Sequence, residues 1–492
     1  MLDRSLVIVA LALLAGGTEP ALAQPYQTDF PPEEFRARWQ GVYERIGENG
    51  VAVVQGMGLT DGFQFPRQFN TFYYLSGIET AGAYLRLDGR TRAATLYLPP
   101  RNERLERNEG KVLSADDADL VKRLTGADDV QPLEAMARDN WPLGVPTSGA
   151  GRTSPRPAPM IYAEYAPAEG AEQSRGELVA ADSARALDFW DGQTSRQRRF
   201  VELVRARQPR AEIKDLSPIL DELRSIKSPR EIALVRRASQ IAGLGLMEAV
   251  RSTEPGVREY QLDAAARYIY LLNDARLEGY RSITASGVAN INNGHYFRNN
   301  ATLKDGDMVL MDYAPDYRYY VSDIGRMWPV NGKFAPWQRE LLQFVLDYRN
   351  AVMSRIRPGV SAADIQAEAA TAMEGVFART KFSKPVYEQA ARRLVATGGG
   401  VFSHTVGMAV HDVGSYRGPL KPGQVFSIDP QLWVPEENLY IRYEDTVVVT
   451  GTGVENFTAF LPSELADLEK LTLEKGVVKK IRPTPEAAML KR

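Results

Sequence analysis

Two short stretches constrain this chain more than any other feature, and they echo one another. One runs Gly306-Asp307-Met308-Val309-Leu310-Met311-Asp312, the other Gly423-Gln424-Val425-Phe426-Ser427-Ile428-Asp429. Each sets a glycine ahead of an apolar run suited to a buried strand, and each ends on an aspartate. Each is followed by a second acid in strand-like sequence, Asp323 after the first and Glu444 after the second. Carboxylates at the ends of apolar strands are costly to bury unless a cation lies between them. The pattern therefore predicts a pair of divalent metal ions.

What precedes the two stretches is also repeated. Ser228-Pro229-Arg230-Glu231 reads as a capping box with proline at the first helical position. The helix continues with Ile232, Val235, Ala238 and Ile241 on one face, breaks near Pro255-Gly256-Val257, and a second helix follows through Leu262, Ala266 and Tyr270. The same order returns with a helix from Trp337 to Ile356, a break at Pro358-Gly359-Val360 and a helix through Ile365 and Ala369. Helix, break, helix and strand–Asp, occurring twice, predict a duplicated α/β domain with a pseudo-two-fold axis.

The region before it, residues 24–216, reads as a separate α/β domain. A helix is expected over Phe30 to Ile46 and a buried strand at Val51-Ala52-Val53-Val54. Ala83 to Leu87 and Ala93 to Leu98 flank Asp88-Gly89, a hairpin signal because Asp-Gly tolerates positive φ. Further helices are expected over Asp116 to Leu124 and near Thr194 to Arg207, and a strand near Ala211 to Leu216. Gly149 to Gly176, rich in Gly, Ser, Pro, Ala and Glu, reads as a surface loop. Residues 1–23 read as a secretory signal: Arg4, an apolar core from Ser5 to Leu14, and an A-x-A site at Ala21-Leu22-Ala23. That core is too short for a membrane helix, so an exported protein with no stable membrane anchor is expected, periplasmic or extracellular.

Composition narrows the chemistry. With no cysteine among 492 residues there are no disulfides, thiolate ligands or cysteine nucleophiles. A net charge of −2, without blocks of like charge, gives no field to recruit nucleic acid. Only three histidines exist, His295, His404 and His411. A hairpin folding about the midpoint of Tyr313 to Ser322 would make Asp312 and Asp323 direct cross-strand neighbours, destabilising unless they share a positive partner. The alternative is an exposed hairpin with solvated aspartates, against which the apolar run before Asp312 argues. His404 follows the glycine-rich Gly398-Gly399-Gly400, and His411-Asp412 comes shortly after. Oxygen-rich ligation with one imidazole suits Mn²⁺, with Zn²⁺ or Co²⁺ as alternatives, two such ions bridging through shared carboxylates.

From about Leu216 to Pro462 the sequence resembles the pita-bread, M24-type metallopeptidases of the aminopeptidase P and prolidase branch. The resemblance is carried by Ser286-Gly287 with His295-Tyr296, Gly306-Asp307 leading to Asp312, and Ser322-Asp323-Ile324-Gly325-Arg326. It continues with Ser403-His404, Val410-His411-Asp412-Val413-Gly414, Pro422-Gly423 leading to Asp429-Pro430, and Ile441-Arg442-Tyr443-Glu444-Asp445. Upstream, Phe72-Tyr73-Tyr74-Leu75-Ser76-Gly77 and the following hairpin look like the branch's creatinase-like accessory domain. The resemblance implies an α/β accessory domain followed by a pita-bread catalytic domain over 217–492. It also implies that Asp312 is a terminal ligand of one metal, that Asp323 and Glu444 bridge both, and that His404 and Asp429 complete the second. A metal-bridging hydroxide would attack the scissile carbonyl, His295 and His411 would orient substrate and stabilise the intermediate, and Arg442 would hold Glu444 from behind.

The implied activity is removal of an N-terminal residue from peptides with proline second. The alternatives are an Xaa-Pro dipeptidase, or a weakly active or inactive relative acting as a binding protein; a homodimer or homotetramer is expected by analogy. Two departures stand out. Asp429 replaces the usual glutamate, and Gly400 stands where the family carries a histidine. Smaller ones are Gly325 for threonine and Gln431-Leu432-Trp433 for Gly-Leu-Tyr.

Overall fold

The computed structural model describes residues 26–59, 66–138, 140–143, 158–415 and 418–481; the expected signal segment lies outside them. A six-stranded sheet organises the first part. In spatial order its strands are Asp129–Pro132, Ala93–Leu98, Tyr84–Asp88, Gly50–Gln55, Met160–Ala163 and Glu212–Asp215. The Asp88-Gly89 turn closes the expected hairpin, with Asp88 Oδ1 accepting from the Arg90 and Thr91 N–H groups. Helix Pro32–Ile46 begins on a proline, carries Glu33 and Glu34 in its first turn, and buries Phe35, Trp39, Val42 and Ile46.

The stretch read as a surface loop over Gly149 to Gly176 is not one throughout. Met160–Ala163 is an interior strand, parallel to both Gly50–Gln55 and Glu212–Asp215. A four-residue apolar run between proline-rich flanks is the signature of a short parallel strand buried on both faces, and it shows no alternation.

The second part is the duplicated unit. Helix Pro229–Arg251 starts on the reciprocal Ser228/Glu231 capping box. Helix Glu259–Leu272 follows, then a sheet in the order Gly325–Pro329, Met308–Asp312, Ile283–Ser286. Helices Pro336–Met353 and Ala362–Arg379 open the second half, joined by a helix not anticipated from sequence, Pro385–Thr397. Its sheet has the order Val401–Thr405, Val425–Ile428, Asp445–Val449, Val454–Asn456. In each half the Gly–strand–Asp stretch is thus the strand between two antiparallel partners. The halves join edge to edge where the Glu444 N–H donates to the Gly325 carbonyl at 3.0 Å. One hydrophobic core runs from the six-stranded domain through Leu216 and Leu220 into Val235, Ile241 and Val309, and a second fills the other half. No helix of the described residues is long and apolar enough to cross a membrane.

Candidate metal centre

The two central strands deliver their aspartates to the seam between the halves, and every acid singled out from the sequence is buried there. Asp312, Asp323, Asp429 and Glu444 are each at most 4% exposed. The register differs from the simple hairpin expected. Gly325, not Asp323, lies opposite Asp312. The connection is no tight turn: Pro315-Asp316 leaves to pair with Leu277–Glu278, and Tyr319 and Tyr320 sink into the core. Asp312 and Asp323 nonetheless meet, because the Tyr280 hydroxyl is 2.6 Å from Asp312 Oδ1 and 3.1 Å from Asp323 Oδ1.

Two sets of potential donors share Asp323. Asp312, Asp323 and Glu444 each offer an oxygen within 4.8 Å of the others, and Asp323, His404 and His411 do the same with oxygen and nitrogen. His404 Nε2 stands 3.2 Å from Asp323 Oδ2. The two imidazoles lie 4.0 Å apart because Thr405 and Asp412, the residues after them, bridge through their backbones. The Thr405 hydroxyl strengthens that bridge by donating to the Asp412 carbonyl at 2.6 Å. A bulge in Val401–Thr405, with Phe402 at φ 56°, turns His404 toward the seam.

Asp429 joins neither set. Its carboxylate is taken by Arg442, whose Nε and Nη2 donate at 3.0 and 2.7 Å, and by Gln431 Nε2 at 2.5 Å. The same guanidinium reaches Asp312 Oδ2 at 2.8 Å and Glu444 Oε2 at 2.5 Å. Alternation along the strand placed Arg442 beside Glu444, as the sequence indicated; its grip on three acids and the part played by Tyr280 had no local signal. Ser427 Oγ completes Glu444 by donating to Oε1 at 2.6 Å. His295 lines the same cavity of about 630 Å³, with Asp312, Asp323, His404, His411, Asp429 and Arg442. Gly400 has φ 78°, and a Cβ there would strike the Asp429 carbonyl and lie 2.7 Å from Gln431 Cγ, so this backbone has no room for a histidine.

Burial dominates the electrostatics. It pushes Asp323 well above the usual carboxylate range, with Glu444 and Asp312 adding repulsion. Burial likewise raises Glu444, against the pull of Arg442, and lifts Asp429 to about 6, again opposed by Arg442. Burial and the neighbouring His411 push His404 down to about 3. His411 is lowered by burial and by His295. Four acids face one arginine, more carboxyl groups than one cation can balance, so burial favours protons on them that a divalent ion would displace, and neutral imidazoles beside them offer lone pairs. That donor set fits divalent ions.

Comparison with known proteins agrees. Residues 35–139 match the aminopeptidase P N-terminal domain, and residues 233–451 match metallopeptidase family M24. An Xaa-Pro aminopeptidase of Haemophilus influenzae is 28% identical over 469 residues, covering 91% of this chain and 98% of that protein. An Xaa-Pro aminopeptidase of Escherichia coli is 35% identical over 276 residues, 52% of this chain and 61% of its own. Among solved structures, Escherichia coli aminopeptidase P in complex with substrate superimposes with a TM-score of 0.69 at 25% identity, covering 91% of this chain and 99% of its own. Proline aminopeptidase P II from Yersinia pestis does so with a TM-score of 0.70 at 28% identity, over 91% and 99%. The fold and the buried carboxylates together define a metallo-exopeptidase. The chain belongs to metallopeptidase family M24, in its aminopeptidase P branch, and that membership implies divalent metal cofactors.

Proposed function

We propose that this protein is an Xaa-Pro aminopeptidase, using two divalent ions to release the first residue of peptides with proline second. The observation that carries the reading is the buried Asp312–Asp323–Glu444 cluster with His404 and His411 against Asp323, opening on one cavity through Asp312, Asp323 and both histidines. The likeness to Xaa-Pro aminopeptidases over nearly the whole chain supports the substrate class. Asp312, Asp323, His404, Asp429 and Glu444 would hold the ions. Oxygen-rich donors with an imidazole favour Mn²⁺, ahead of Zn²⁺ or Co²⁺. When bound, such ions supply Lewis acidity at the scissile carbonyl and make a water acidic enough to ionise near neutral pH.

The chain's own residues would do the rest. Tyr280 donates its one hydroxyl proton to Asp312 at 2.6 Å while its oxygen lies 3.1 Å from Asp323, and so fixes how the remaining oxygens of both acids point. Arg442 holds Asp312, Asp429 and Glu444 as one rigid array. His411 and His295, on the cavity wall, would hydrogen-bond the substrate carbonyl as negative charge develops there, most strongly where water is excluded. We also infer export of the mature protein from the Arg4 to Ala23 segment and assembly as a homodimer or homotetramer.

Metal analysis of the purified protein, with hydrolysis of Xaa-Pro-Yaa tripeptides against Xaa-Pro dipeptides, tests the proposal. Two ions per chain and tripeptide cleavage are expected. Turnover of dipeptides alone would make it a prolidase, and fewer than two ions without peptidase activity would defeat the metal-centred reading.

A further inference from the structure

We propose that Glu172 and Glu177 bind a cationic nitrogen of the substrate, either its α-ammonium or a Lys or Arg side chain, and so bias which peptides the site accepts. The inference rests on reading the cavity as a peptide site. Both residues lie in a stretch that falls between the two family matches, which end at 139 and resume at 233. The stretch is firmly built. Glu169 is fully buried, with its carboxylate held by Arg224 and, at 2.9 Å, by Arg175 Nη2. The Asn70 side chain donates to the Gly170 carbonyl at 2.9 Å. The N–H of Val410, the residue before His411, donates to the Ala171 carbonyl at 3.3 Å. The platform that carries the two glutamates is therefore tied to the loop that carries His411.

From it Glu172, Ser174 and Glu177 face the same cavity as His295, His404, His411 and the buried acids. Ser174 Oγ caps the Glu177 N–H, but the reciprocal half of a capping box is not formed, so the Glu177 carboxylate is not used as a helix cap. Neither glutamate forms a salt bridge among the described residues. The nearby cations make no ion pair with either glutamate, although Arg67 and Arg281 attract the Glu172 carboxylate from a distance and Arg281 shares its cavity wall. Arg67 serves Asp316 and Asn70, Arg281 lies over the Phe297 ring at 4.9 Å, and Arg442 is held by the buried acids. Glu172 is exposed on the cavity wall; its partial burial, then Glu278, pushes the carboxyl up, opposed by Arg67 and Arg281. A positive group entering the cavity would find its partners here.

The test uses E172Q, E177Q and the double variant of the full-length protein, with Leu-Pro-Yaa and Arg-Pro-Yaa peptides. If the glutamates meet the α-ammonium, KM rises for both peptides; if they meet the side chain, it rises for Arg-Pro-Yaa alone. The expected rise is about 2–5-fold per carboxylate, as for a partly exposed ion pair, and it should shrink in high salt. Calorimetric titration of the same peptides into the metal-free protein reads the contact without turnover. A wild type that cleaves neither peptide but binds them more tightly than the double variant would count against the peptidase reading alone. Unchanged KM and unchanged binding in the double variant would overturn the proposal.

Discussion

Arg442 is the residue on which the acids of the seam depend when no metal is bound. It is buried and donates to Asp312, Asp429 and Glu444. Removing one partner of a buried charge set leaves the rest uncompensated, a loss of about 3–5 kcal/mol. Arg442→Met should therefore lower the melting temperature of the metal-free protein far more than that of the Mn²⁺-loaded protein, read by calorimetry. Asp429 sharpens the same point. Its short side chain is matched by an arginine that reaches it with two nitrogens, so the site is built around aspartate. Asp429→Glu should bring no gain in kcat/KM on Xaa-Pro-Yaa; a clear gain would show that the short side chain limits the enzyme. Much of this was legible before the structure, because aspartates ending apolar strands are rare enough to be informative. What escaped was contact at long range: nothing around Tyr280 or Gln431 marks them as partners of acids in other strands.

At the scale of elements, the bridge between Thr405 and Asp412 sets the two imidazoles side by side. It is held from beneath. Asp412 accepts from Arg224 at 2.5 Å and lies 3.1 Å from Lys227, all three being buried. Burial alone would raise the Asp412 carboxyl, but the two cations outweigh it and keep it below the usual range. Gly407 passes so close that a Cβ would collide with the Asp412 carboxylate and lie 2.7 Å from Lys227 Cε. Gly407→Ala should destabilise the protein by about 1–3 kcal/mol, an overpacking cost, and lower kcat with it; urea denaturation and steady-state kinetics check both. Helices and strands with strong periodicity or caps were readable from the sequence, as Pro229–Arg251 illustrates. The strand Met160–Ala163 and the Asp312–Asp323 connection were not. One lacks alternation, and the other obeys tertiary pairing with Leu277–Glu278 in place of local turn chemistry.

For the whole molecule, the proposed ion site couples binding to folding, because buried acids of both halves meet at one seam. Stripping the metal with a chelator should lower the melting temperature, and stoichiometric Mn²⁺ should restore it. The pH dependence of the metal-free state carries a signature of His404. Its folded pKa of about 3 lies below the ordinary 6.5, so the unfolded chain binds more protons. Its contribution is present above pH 6.5 and is lost as pH falls toward 3. Comparing metal-free wild type with His404→Gln should show the wild type losing stability more steeply on acidification through that window.

The buried pairing of Glu169 and Asp412 with Arg224 joins the six-stranded domain to the loop that carries His411 through groups that water does not reach. Parting the domains there would strand charges in a dry interior, so a rocking motion to admit a large guest is energetically closed. The cavity of about 630 Å³ then keeps its size. A space of that order holds a small ligand, so a loose chain end fits where a folded protein does not. Trimming from one end, on this view, begins with access, before any recognition of the bond to be cut.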